Sequence, residues 1–221
     1  HNLDLKDMHY MLRTSFNIDI DTPEVYCDIQ FGHLKRSRLN DTRINWAQYE
    51  IPAQKWVLVK DDTRSVGLIT KTKNGFYAKD NILDITLSRS SDYPGKTLGI
   101  EKSSYSYVFA PLNGESSLED IDWLANEYNT FYPEVGNIEN LDLVNIDNKN
   151  IYLSALKKGI NDNAYIIRLS NPTEEKQDFS LEVKLDYNQA FIVNSVEDSL
   201  EELSSLKFSL EPFSFISIKL K

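Results

Sequence analysis

Short apolar runs, each closed by Gly, Pro, Asn or Asp, follow one another through this chain of 221 residues, and they constrain its fold more than any other feature. Eight precede residue 113: 11–20, 25–32, 46–52, 55–60, 66–70, 75–79, 82–89 and 105–112. Seven more follow residue 140: 141–146, 151–158, 164–170, 178–185, 190–195, 206–210 and 213–221. Regular short runs with turn residues between them predict an antiparallel β-sandwich architecture. In 178–185, Phe179, Leu181, Val183 and Leu185 alternate with Ser180, Glu182, Lys184 and Asp186, the pattern of a strand with one face in water. Asn74-Gly75, between two such runs, predicts a tight hairpin. One segment has helical spacing. Leu118, Ile121, Ala125 and Tyr128 share a face, Ser116 with Glu119 predicts a capping box, and Pro133 predicts the stop. The domain boundary is expected near 113–140, with the helix as a connector packed across the first sandwich.

Composition excludes several classes of function. The net charge of −10 is spread along the chain, so its surface repels phosphate backbones and nucleic-acid binding is not expected. No apolar run approaches the length of a membrane span, and no membrane association is expected. The single cysteine, Cys27, cannot form an internal disulfide, and its strand context predicts a buried thiol, which fits a reducing, cytoplasmic setting. His1, His9 and His33 lack metal-ligand spacing; His9 reads as a strand residue and His33 as a loop or edge residue beside Gly32. There is no GxSxG elbow and no glycine-rich phosphate loop. The acidic pairs Asp61-Asp62 and Glu174-Glu175 read as solvated turns. Trp46, Trp56 and Trp123 read as core or interface anchors, the alternative being a stacking platform for a sugar. The residues therefore predict an acidic all-β chain with no catalytic constellation and no metal site. Its opening residues read like the middle of a domain, so a fragment of a longer chain is expected.

Against this background the segment 30–59 stands out. Phe31-Gly32, Arg36-Ser37, Asn40, Tyr49-Glu50 and Lys55-Trp56 resemble, in order, a stretch from the C-terminal β-sandwich region of family 38 glycoside hydrolases, the α-mannosidases. Similar matches run along the chain: His9 and Phe16 in an opening strand; Gly67, Lys73, Gly75, Leu87, Arg89, Ser90 and Pro94 further on; the run 105–112; then 155–172 and the terminal strand. Departures occur at Gln54, at Val57-Leu58, at Thr70-Lys71 and around 99–103, positions that the resemblance places near an interface facing the active site.

The resemblance implies a galactose mutarotase-like super-sandwich portion over 1–115, a helical connector over 116–140 and a smaller Ig-like sandwich over 141–221. It implies an N-terminal catalytic domain, outside these residues, that carries the two carboxylates of a retaining mechanism and a zinc ion gripping mannose hydroxyls. This chain would then support that domain and its carbohydrate cleft without turning over sugar itself. Arg36, Asn40 and Arg89 are the residues expected to face or shape the cleft, their alternative role being a buried arginine that satisfies loop carbonyls. A face left uncovered by the missing partner could support a homo-oligomer. The rival reading is a free-standing carbohydrate-binding β-sandwich.

Overall fold

A computed structural model of the protein describes residues 2–4, 6, 9–91, 93, 102–114, 116, 118–130 and 142–221. The chain divides into two units, His1–Phe131 and Tyr132–Lys221.

In the first unit the elements are β1 (Asn2–Asp4), β2 (Met11–Asn17), β3 (Glu24–Ile29), β4 (Gly32–Ser37), the single-turn helix α1 (Arg43–Ala47), β5 (Ile51–Pro52), β6 (Trp56–Lys60), β7 (Arg64–Thr70), β8 (Gly75–Lys79), β9 (Ile82–Arg89), β10 (Lys102–Ser104), β11 (Tyr107–Asn113) and α2 (Leu118–Asn129). Two antiparallel sheets, ordered β11-β7-β6-β3-β4 and β2-β9-β8-β5, enclose the main core, and β1 pairs with β10. Val25, Cys27, Val57, Val59 and Leu68 from the first sheet meet Phe76, Leu83, Ile85 and Leu87 from the second. Alternation along each strand sends the intervening residues to the outer faces. On the first sheet that outer face is also apolar: Trp56, Leu58, Ile69 and Ala110 are covered by Ile121 and Ala125 of α2. The helix thus belongs to the first unit.

Gly67 of β7 sets the distance between helix and sheet. A Cβ there would lie 2.5 Å from Ile121 Cδ1. The helix begins at Leu118, and the Ser116 hydroxyl donates to Asn113 Oδ1 at 2.8 Å. Residue 117, which precedes the helix, and the expected stop at Pro133 lie outside the described residues, as do Pro94 and residue 99 of the matched motifs.

Three local expectations are corrected. Asn74-Gly75 does not close a hairpin, because β7 and β8 belong to different sheets and the segment crosses between them. The tight hairpin is one turn later, where Asp80 and Asn81, both with positive φ (51° and 59°), join β8 to β9 as a type I′ pair. The run 46–52 is not one strand: Thr42 Oγ1 accepts from Asn45 N at 3.0 Å, nucleating α1, and only Ile51–Pro52 pair as β5. His9 is not in a strand; it occupies an exposed bend with φ 63° before β2.

The second unit contains β12 (Val144–Ile146), β13 (Tyr152–Lys158), β14 (Tyr165–Asn171), β15 (Gln177–Val183), β16 (Ala190–Val193), β17 (Ser199–Leu203), β18 (Lys207–Leu210) and β19 (Ser214–Leu220). Its sheets run β12-β15-β18 and β13-β14-β19-β16-β17. The alternation read in 178–185 holds, with Phe179 and Leu181 buried against Ile167, Leu169, Ile218 and Leu220. Fully buried Asn171 closes one end of this sandwich, its Nδ2 donating to the carbonyls of Glu175 (2.7 Å), Leu210 (3.2 Å) and Glu211 (3.0 Å). No helix among the described residues is long and apolar enough to cross a membrane.

Candidate functional site

The outer face of the β2-β9-β8-β5 sheet differs in kind from the face under α2. Strand alternation places Arg13, Asp84, Thr86, Tyr77 and Lys79 on it, all polar. The connection between β4 and β5, residues 38–50, lies across this face and is pinned by those groups. Arg38, 6% exposed, anchors its start: Nε donates to Ala78 O (3.1 Å), and one terminal nitrogen donates to Ile20 O (3.0 Å) and Thr22 O (2.8 Å). The Lys79 ammonium donates to Asn40 Oδ1 at 2.9 Å and to the Asn45 carbonyl. At the far end, Glu50 accepts from Thr86 and pairs with Arg13 at 3.2 Å. A Cβ on Gly75 would sit 3.0 Å from Glu50 Oε1, so the glycine makes room for that carboxylate.

Arg13 is the centre of this cluster. Its guanidinium lies 3.5 Å from Asp84, 4.7 Å from the Tyr49 ring and 5.7 Å from the Tyr77 ring. The two rings are 5.1 Å apart. Tyr77 donates to Asp80 at 3.1 Å, and burial together with that bond raises its phenol pKa. Glu50 and Asp84 both pair with the guanidinium, and Asp84 is buried beneath it, its Oδ1 and the arginine Nε making no hydrogen bond. The arrangement fastens a segment to a sheet; it presents no open acid/base pair to a substrate.

A second polar cluster lies between the other sheet and α2. Asp122 of the helix accepts from Trp56 Nε1 (2.8 Å) and from Lys55 Nζ (3.3 Å), and Lys55 also donates to Asn126 Oδ1 (2.7 Å). Asp28, 2% exposed, accepts from Lys55 N at 2.7 Å. Burial pushes the Asp28 carboxyl up to about 6; Lys55 opposes the rise and the charge of Asp122 adds to it. The Lys55-Trp56 dipeptide, read in the sequence only as a motif, is therefore the clamp that docks the helix.

The residues singled out from the sequence do not converge. Arg36, on edge strand β4, shares its parity with core-facing Leu34 and lies beside Cys27. Burial pushes the Cys27 thiol up to about 11, and the Arg36 charge offsets part of that rise. Asn40 serves Lys79. Arg89 ends β9 as an exposed residue. The buried arginine that satisfies loop carbonyls is Arg38, two residues beyond the matched Arg36. The sequence offered no signal for it, because what buries Arg38 is the segment folding back over β8. Val57 and Leu58, expected near an interface facing the active site, are core residues with no exposed surface. Trp56 is buried under α2, whereas Trp46 on α1 and Trp123 on α2 are exposed on opposite sides of the first sandwich, so the three form no common platform. Among the described residues no three His, Cys, Asp or Glu side chains gather as a metal site.

Comparison with known proteins agrees with this division. A model described as glycosyl hydrolases family 38 C-terminal domain matches residues 1–97, and one described as the family 38 C-terminal beta sandwich domain matches residues 150–215. Alpha-mannosidase 2C1 of Mus musculus is 28% identical over 127 residues, covering 58% of this chain and 12% of its own length. Alpha-mannosidase G of Dictyostelium discoideum is 21% identical over 221 residues, 94% of this chain and 20% of its own. The crystal structure of an alpha-mannosidase from Enterococcus faecalis superposes with a TM-score of 0.77 at 16% identity, covering 96% of this chain and 26% of that one. The matched stretches thus span roughly an eighth to a quarter of the length of these proteins.

Proposed function

Because this chain belongs to the C-terminal region of glycosyl hydrolase family 38, we propose that it is the non-catalytic β-domain portion of an α-mannosidase. One observation carries the reading. Two models of the same family's C-terminal domains match the two units in order, while the polar clusters described in the first unit anchor a segment and a helix to their sheets. In this reading retaining hydrolysis of α-mannosides belongs to an N-terminal catalytic domain, and these units hold that domain and its carbohydrate cleft in shape. In this reading any zinc of the parent enzyme belongs to the catalytic portion. One buried, protonated thiol and no second cysteine support a cytoplasmic setting.

A free-standing carbohydrate-binding module needs coplanar exposed rings. The separation of Trp46, Trp56 and Trp123 removes that basis. The test is an aryl-glycoside panel on the full-length parent protein and on the isolated 221-residue chain. The full-length protein is expected to hydrolyse the α-mannoside and the isolated chain to leave it intact. Turnover by the chain alone, or a full-length protein inactive on α-mannosides, would overturn the reading.

A further inference from the structure

The segment over the polar sheet face is built inside out. Its polar groups turn down onto the sheet: Asn40 and the Asn45 carbonyl hold Lys79, and Glu50 holds Thr86 and Arg13. Its large apolar groups turn up. Ile44 and Trp46 are each 71% exposed and Leu39 is 45%, and α1 buries none of its residues. An amphipathic element on a free surface does the reverse, as α2 does with Ile121 and Ala125. The inversion is also rigidly fixed, since Arg38 at one end and Glu50 at the other tie the segment to the strands beneath. A preorganised patch with an indole at its centre and a polar border has the anatomy of an interface core.

We propose that residues 39–49 are the docking seam for the N-terminal portion of the same polypeptide, with the Trp46 indole inserted into an apolar concavity on that portion. The proposal rests on the reading that a catalytic portion precedes this chain. The matched relatives and solved chains are roughly four to five times its length, so in that reading the partner is the larger body and needs a fixed contact of this kind. A carbohydrate occupant fits less well. Branched Ile44 and Leu39 offer no flat face for stacking, and the Arg13 guanidinium and Asp84 carboxylate that would meet hydroxyls are buried beneath the segment.

Hydroxyl-radical footprinting of the full-length protein tests this, with each tryptophan referenced to its own rate in denaturant. Trp46 is expected to be labelled at least tenfold more slowly in the native protein than in denaturant, close to the behaviour of buried Trp56. Labelling of Trp46 at its denatured rate would overturn the seam. So would protection that appears only with added mannose oligosaccharide, which makes the occupant a sugar. Protection that rises with protein concentration would make it a second copy and would equally overturn the proposal. A second measurement uses Ile44→Asp with Trp46→Asp in the full-length protein. These exposed positions leave the sandwich intact, so far-UV circular dichroism is expected to be unchanged while protease cleavage between the two portions accelerates at least fivefold. Trp46→Phe is expected to restore the slow rate. An unchanged cleavage rate in the double variant would overturn the proposal. Protected Trp46 in a full-length protein that lacks α-mannosidase activity would sink the enzyme reading and leave the seam standing.

Discussion

The two outer faces of the first sandwich handle the same physical problem in opposite ways. Under α2 the strands present Trp56, Leu58 and Ile69, and the helix answers with Ile121 and Ala125; the few polar groups, Asp28, Lys55 and Asp122, are gathered at one edge and bonded to one another. On the other face β2, β8 and β9 present Arg13, Lys79, Asp84 and Thr86, and the covering segment answers with Asn40, Asn45 and Glu50. The first face is closed by apolar burial, which is insensitive to orientation. The second is closed by hydrogen bonds, which fix orientation and leave the apolar side chains of the cover free for another surface.

Substitutions can separate these two modes. Trp56→Ala attacks the helical face twice, opening a cavity and removing the donor to Asp122, and should lower unfolding stability by about 3–5 kcal/mol in urea denaturation. A loss below about 1 kcal/mol would mean that α2 adds little. Arg38→Ala attacks the polar face by stripping three carbonyls of their donor, two of those bonds fully buried, for an expected loss of about 2–4 kcal/mol. Faster hydrogen exchange along β8 should accompany it, while α2 keeps its protection.

Asp28→Asn should act in the other direction. Asp28 titrates near 6 in the folded chain against an ordinary 3.8, so the native state holds the proton more tightly and the buried charge costs stability as pH rises through that window. Asparagine keeps an acceptor for Lys55 N and should stabilise the chain by about 1–3 kcal/mol at pH 7, the gain vanishing below about pH 4. A gain that grew on acidification would show that the charge is favourable where it sits. The smallest effect is expected at Arg89, exposed at the end of β9, where alanine should change stability by about 0.5 kcal/mol or less.

Much of this architecture was legible in the residues, because alternation such as Phe179-Leu181 reports burial directly and Leu118-Ile121-Ala125 reports a helix face. What escaped depended on partners distant in the chain. Asn74-Gly75 has the composition of a hairpin, but a sandwich decides whether a chain pairs locally or crosses, and Asp80-Asn81 took the hairpin geometry. Trp46 sat in a run with strand composition, yet one hydroxyl at Thr42 was enough to wind it into a helical turn. Arg36 matched a motif and Arg38 did not, though Arg38 is the one that bonds three backbone carbonyls. Which arginine is buried is set by what folds over it.

Cys27 has a practical corollary. With no exposed surface and a thiol held protonated until about pH 11, the one cysteine of this chain is silent toward thiol-alkylating reagents at neutral pH. A cysteine introduced at the tip of the 39–49 segment would then be this chain's one reactive thiol. A fluorophore or spin label attached there would report directly on the surface it faces, with no background to subtract from these 221 residues.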